Sequence, residues 1–263
     1  MTRSQVFPLC LALLVAAPAA ALTGREVITS AQEKNGFSTW RDRTLSSHMQ
    51  TFSGDSMTRD RDFTVNEQTD PRGEHRTLIR FTAPADVQGT RFLHLSPRGT
   101  GDQQWIYTPT TRRVRRLAEA QRDENFFGAD LSYRDLELLV RIQQWNDDES
   151  TATLGPDATV GGHACKVVTL VPKNDEFPMY SKYILSFGAD DGLLWGVELF
   201  DTDGKLFKRV MPRNYERIGK YATAMQAEIE TVPNRTKTVL DFKDVKYDVG
   251  LPDSGFAVSV LDR

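Results

Sequence analysis

The sequence predicts a mainly β fold, one broad antiparallel sheet with a few short helical segments, and three observations carry that expectation. Phe92 and His94 alternate with Leu93 and Leu95, and Trp105 and Tyr107 flank Ile106, which is the period of two of half-buried strands. Beyond residue 150, Gly155-Pro156, Gly161-Gly162, Asp190-Asp191-Gly192 and Asp203-Gly204 fall between strand-like runs, as turns between paired strands do. Helical spacing is confined to the N-terminal part, the stretch after Ser132 and a short tail. The count comes to about ten strands, and a sheet that wide curls strongly or closes on itself.

Residues 1–21 have a basic start at Arg3, an apolar run over 6–17 and the small triplet Ala19-Ala20-Ala21, the pattern of a signal peptide cleaved near Ala21. The run is shorter than the roughly 20 apolar residues that span a bilayer. Residues 22–263 then read as a single domain with one sizeable core. Cys10 sits inside the apolar run rather than after a lipobox, so cleavage leaves Cys165 as the lone thiol. Burial therefore holds the fold together, unless that thiol pairs with another chain.

Thr23-Gly24-Arg25-Glu26 has capping-box form, Val27, Ile28 and Ala31 supply an apolar stripe, and Lys34-Asn35-Gly36 ends this first helix. Residues 45–52, 57–68 and 74–82 alternate loosely with many polar residues, as strands with one solvated face do, until Ala83-Pro84 breaks the pattern. After residue 150, strands are expected at 151–154, 163–171, 180–187, 193–200 and 206–211. A last hairpin joins 225–232 to 236–247 around Pro233-Asn234, and the tail 251–256 packs on the sheet.

Between these halves the pattern changes. In Arg112-Arg113-Val114-Arg115-Arg116-Leu117 each face of an extended chain carries two arginines and one apolar residue, which suits an edge strand or rim. Phe126-Phe127-Gly128 brings two rings to a turn. Tyr133, Leu136, Leu139 and Val140 then fall at helical spacing behind Ser132, a candidate N-cap.

Phe92-Leu93, Asp102-Gln103-Gln104-Trp105-Ile106-Tyr107, Pro109, Arg112-Arg113-Val114-Arg115-Arg116 and the run from Phe127 through Gly128, Ala129, Asp130, Leu131, Ser132, Tyr133, Arg134 and Asp135 to Leu136 carry a resemblance. The chain resembles the LolA-like family of outer-membrane lipoprotein-sorting proteins, in particular the group associated with exporters of the resistance-nodulation-division type. The resemblance implies a strongly curved, open antiparallel half-barrel with short helices across its concave face. It also implies a non-enzymatic periplasmic carrier of lipid or lipoprotein acyl chains that works between an inner-membrane exporter and an outer-membrane acceptor. On that reading Phe92, Trp105, Tyr107, Phe126, Phe127, Tyr133, Leu136, Leu139 and Trp195 are lipid-binding or lid residues, with Phe126, Phe127, Tyr133 and Leu136 as a cover that moves. Arg112, Arg113, Arg115 and Arg116 form a basic rim for phosphate head groups or an acidic partner. Other classes for such a chain are a lipid sensor or an adaptor for an exporter.

Catalytic patterns are weak. Gly54-Asp55-Ser56 resembles the start of a GDS-type esterase, but that chemistry needs a late histidine and the last is His163. His48, His75, His94 and His163 stand singly, without metal-ligand spacing, so no metal is expected. Asp201-Thr202-Asp203-Gly204 begins like a calcium loop, yet Pro212 stands where its bidentate glutamate belongs. No nucleotide fingerprint is present, so no cofactor is expected. The net charge is -3, and the arginine run lacks interleaved aromatics, so no nucleic acid partner is expected.

Overall fold

The computed structural model describes residues 22–37, 39–97, 101–143, 145–146, 148, 150–173 and 178–263; the expected signal peptide at 1–21 lies outside them. Six strands come first: β1 (Asp42–Ser53), β2 (Ser56–Thr69), β3 (His75–Ala83), β4 (Arg91–Ser96), β5 (Gln103–Thr108) and β6 (Arg113–Arg116). Eight more follow: β7 (Ser150–Leu154), β8 (Ala158–Val160), β9 (His163–Pro172), β10 (Lys182–Gly188), β11 (Leu194–Phe200), β12 (Leu206–Ile218), β13 (Tyr221–Thr231) and β14 (Thr236–Tyr247). Helix α1 (Gly24–Asn35) precedes them, and α2 (Tyr133–Gln143) lies between β6 and β7.

All these strands join one antiparallel sheet of fourteen, ordered β6-β5-β4-β3-β2-β1-β14-β13-β12-β11-β10-β9-β7, with β8 paired to β9. It is wider than the roughly ten strands expected from its turns. The three-residue β8 is too short for alternation to reveal, and β12 and β13 run beyond the expected 206–211 and 225–232 because their outer parts are polar and carry little hydrophobic signal. Because β1 pairs with β14 from Arg43↔Tyr247 to Ser53↔Thr236, the start and finish of the meander meet in mid-sheet. One edge is β6 and the other is β7 with β8 beside it, and β6 and β7 are consecutive in sequence. The segment between them, with α2, crosses the hollow rather than hydrogen-bonding the edges together, and the sheet stays an open half-barrel.

Both helices are fixed by their first turns. Thr23 accepts from the Glu26 amide at 3.2 Å while the Glu26 carboxylate accepts from the Thr23 amide at 2.8 Å. Gly36, at φ 69, closes α1 with its amide on the Gln32 carbonyl at 2.9 Å. A side chain there would meet the Tyr221 ring at 2.9 Å. At α2 the Asp135 amide donates to Ser132 Oγ at 3.0 Å and the Ser132 amide donates to Asp135 Oδ2 at 2.7 Å. This is a capping box with the shorter acid.

Three apolar clusters result. One lies beneath α1 and α2 against β9–β13, around Ile28, Leu138, Leu185, Val197 and Ile229. A second, around Phe63, Phe81, Phe92, Phe126 and Tyr133, fills the hollow over β1–β5. The third lies on the opposite, outer face, where Leu78 and Leu93 meet Phe256 and Leu261 of the C-terminal turns. Among the described residues no helix is long and apolar enough to cross a membrane.

Candidate functional site

An apolar cavity of about 220 Å³ lies in the hollow on the α1 side of α2. Ile28 of α1 and Leu139 and Ile142 of α2 roof it, and Val210, Ile229 and Leu240 of the sheet form its floor. Small residues at Ala222, Ala224 and Ala227 of β13 leave open the space that larger side chains would fill. Its size falls below the roughly 300–1,000 Å³ of pockets for drug-sized ligands and suits a slender aliphatic segment.

One end is polar and aromatic. Tyr221 and Tyr247 pack with ring centroids 4.4 Å apart, Trp40 lies 6.2 Å from Tyr247, and Arg43 stands 5.2 Å from the Trp40 centroid. Burial works against the Arg43 charge, but the Glu67 carboxylate, 2.6 Å from Nε, and the neighbouring Tyr247 outweigh it and hold the guanidinium above its ordinary value. The cavity thus runs from an aliphatic end between the helices to an aromatic end beside the Arg43–Glu67 pair.

The other half of the hollow is filled. Phe127 packs on Phe81 at 4.5 Å, Phe126 on Phe127 at 5.0 Å, and Phe92 on Phe126 and Tyr133 at 5.4 and 5.5 Å. Such pairs contribute about 0.5–1.5 kcal/mol each beyond area burial. Burial pushes the Tyr133 phenol up to about 12. Phe127 is held at φ 48, an uncommon conformation for a bulky residue, with its carbonyl accepting from Arg61. Leu136 packs on both hollow-side clusters, whereas Leu139 belongs to the first and lines the cavity.

Three expected lining residues stand elsewhere. Ile106 points inward, so Trp105 and Tyr107 on either side point to the outer face and pack on the third cluster. A register shift between β10 and β11 at Ser186/Phe187 interrupts alternation near Trp195, which stacks on His163 at 3.5 Å and is not part of the cavity wall. Of the nine residues expected to line or cover a groove, Leu139 is in the wall. Arg112, Arg113, Arg115 and Arg116 are exposed on and beside the edge strand β6.

Two buried polar networks, invisible in the sequence, hold α2 across the sheet. On one flank Asp135 pairs with Lys208 of β12, both about fully buried, and accepts from the Tyr180 hydroxyl at 2.6 Å. On the other, Gln104 Nε2 donates to Glu137 at 2.7 Å and to the Tyr133 carbonyl at 2.9 Å. Arg122 lies 3.5 Å from Glu137, Arg141 lies 3.5 Å from Asp102, and His94 lies 3.6 Å from Asp102. Burial and the nearby Asp102 raise the Glu137 carboxyl above its usual range. Burial also works against the Asp102 charge, but His94, Ser96 and Arg141 overcome it and hold that carboxyl below its ordinary value. Ligand atoms of His94, Asp102 and Glu137 converge within 4.8 Å. Arg141 faces the Asp102 carboxylate and Arg122 faces the Glu137 carboxyl that burial keeps protonated, so the cluster serves as a polar latch between α2 and β5.

Taken together, the open sheet, the crossing segment and the roofed apolar hollow define a LolA-like half-barrel. A family model described as "Uncharacterized protein" matches residues 73–263, and the chain belongs to that family. The fold is similar to that of a DUF1329 family protein from Desulfovibrio piger, with 27% identity, TM-score 0.82 and coverage of 90% of this chain and 97% of that one. It is also similar to a putative outer membrane lipoprotein-sorting protein domain from Vibrio parahaemolyticus, with 22% identity, TM-score 0.80 and coverage of 90% and 97%. A LolA superfamily protein from Nitrosomonas europaea shares the fold at 18% identity and TM-score 0.67, with coverage of 90% and 98%. A comparison with curated proteins gives no match.

Proposed function

We propose that this protein is a periplasmic carrier, exported by residues 1–21, whose single domain shelters a lipid or lipoprotein acyl chain. On this reading it moves that chain between an inner-membrane exporter and an outer-membrane acceptor, without catalysis. The observation that carries the proposal is the apolar cavity of about 220 Å³ between α1, α2 and the sheet. Burying one methylene contributes about 0.8 kcal/mol, so the ten or so methylenes of a partly sheltered chain supply roughly 8 kcal/mol before entropic losses. Affinity of that size needs no dedicated polar contact, which fits walls built chiefly of Ile, Leu, Val and Ala.

The test is to extract lipid from protein purified out of the periplasm, identify it by mass spectrometry, and titrate a fluorescent fatty acid into delipidated protein. Ala224→Leu together with Ala227→Leu fills the cavity. The doubly substituted protein should melt as the parent does and lose at least tenfold in fatty-acid affinity. Unchanged affinity, or a parent protein that takes up no acyl chain, refutes the carrier and leaves an adaptor role working through the outer surface.

A further inference from the structure

The four arginines at the sheet edge have no part in the cavity, and their surroundings argue for a task of their own. β6 is a terminal strand of the sheet, hydrogen-bonded to β5 on one side only. Arg112, Arg113, Arg115 and Arg116 are all exposed on it or at its start. None forms an ion pair among the described residues. Two of the acids that follow them in sequence are taken, since Glu119 pairs with Arg122 and Arg134, and Asp123 pairs with Arg134 at 2.6 Å. Arg115 donates to Gln121 at 3.0 Å, a neutral partner that leaves its charge uncompensated.

The outer face beside this edge carries the matching apolar half of an interfacial anchor. Tyr107 pairs across the ladder with Val114, and Trp105 with Arg116. The Arg116 guanidinium stands 5.7 Å from the Trp105 ring, and Arg91 stands 5.3 Å from Tyr107. Trp and Tyr favour the head-group level of bilayers, and guanidinium binds phosphate through a planar fork. Successive strand residues point to opposite faces, so the charges splay to both sides of a ridge roughly 10 Å long. A plane of phosphates meets such a ridge without needing a register. An added acidic strand would gain little from β6, which has four residues.

We propose that the Arg112–Arg116 edge, with Trp105 and Tyr107 beside it, docks this protein on anionic bilayer surfaces through lipid phosphates. The proposal deepens the carrier reading, because a carrier must meet a membrane to load or unload, but it is measured independently of acyl uptake. The experiment is flotation of the full chain with vesicles of phosphatidylcholine alone and of phosphatidylcholine mixed with phosphatidylglycerol, at low and high salt. The parent should float with the anionic vesicles only, and high salt should release it. Each arginine near an anionic surface is worth on the order of fivefold in partitioning, so R112Q/R113Q should weaken binding on the order of twentyfold. These two side chains are exposed and form no ion pair among the described residues, so that variant should keep its melting temperature, and R113E, which changes the charge by the same two units, should weaken binding about as much.

Absence of flotation at low salt, or equal flotation of parent and R112Q/R113Q, overturns the proposal. So does arginine-dependent binding to an acidic protein with no affinity for vesicles, which would assign the edge to a protein partner instead. A fluorescent fatty-acid titration on the same samples separates the two readings: vesicle binding without acyl uptake refutes the carrier alone, and acyl uptake without vesicle binding refutes the docking edge alone.

Discussion

At the scale of single residues, much of the behaviour of this protein follows from where one polar atom finds its partner. His75 is buried at 2% exposure between Thr69 Oγ1 at 3.0 Å and Thr77 Oγ1 at 3.1 Å. Burial drives its imidazole down to about 4 from an ordinary 6.5. The unfolded chain therefore binds a proton that the folded chain refuses between those values. Stability from this group is complete above 6.5 and is lost as pH falls toward 4, by roughly 3 kcal/mol. Urea midpoints at pH 7 and pH 4.5 should show that loss in the parent and a smaller one in His75→Gln. Ser132→Ala removes the α2 cap and should lower stability by about 1 kcal/mol in the same assay. The Ser132 cap was legible from its position before a helical run. The fate of His75 was not, because nothing local says that Thr69 and Thr77 close around it.

At the scale of elements, α2 is the segment whose role the structure changes most. Its sequence reads as an aromatic lid, and its aromatic neighbours do cover part of the hollow. The helix itself is tied to β12 through Asp135 and Lys208 and to β5 through Gln104 and Glu137. Asp135→Asn leaves the Lys208 charge buried without its counterion. It should cost about 3–5 kcal/mol, seen as a melting temperature lower by about 10 °C. Glu137 acts in the opposite sense to His75. Its raised carboxyl keeps a proton in the folded state that the unfolded chain releases above 4.5, so its contribution is lost as pH rises from there through the raised value. Glu137→Gln should flatten the fall in melting temperature on the alkaline side; an unchanged slope would show that Glu137 titrates normally. Any motion of α2 therefore requires breaking the Asp135–Lys208 pair as well as unpacking rings.

At the scale of the whole molecule, the sheet is a meander whose two halves meet at β1 and β14, leaving the hollow divided by α2. Aromatic side chains plug one compartment and the other stays open. An open compartment forgoes packing energy that a ligand restores, so occupancy and stability are linked. If the proposed carrier binds a fatty acid, that ligand held at one hundred times its dissociation constant adds about 2.7 kcal/mol and should raise the melting temperature by roughly 5–10 °C in a thermal scan. The cavity-filled Ala224→Leu/Ala227→Leu protein should show no such rise.

By itself the sequence determined the β-rich class, the capping box at Thr23, the hairpins around Asp191-Gly192 and Asp203-Gly204, and the edge character of the arginine run. These depend on residues within a few positions of one another, where alternation, turn chemistry and capping act directly. Only the tertiary structure decided that Trp105 and Tyr107 face outward, that Asp135 finds Lys208 and that the open space lies beside α1 instead of beneath Phe126 and Phe127. Local order records how a strand alternates but not which face will be enclosed. That choice is made when β1 meets β14 and the sheet curls, bringing together side chains that lie far apart along the chain.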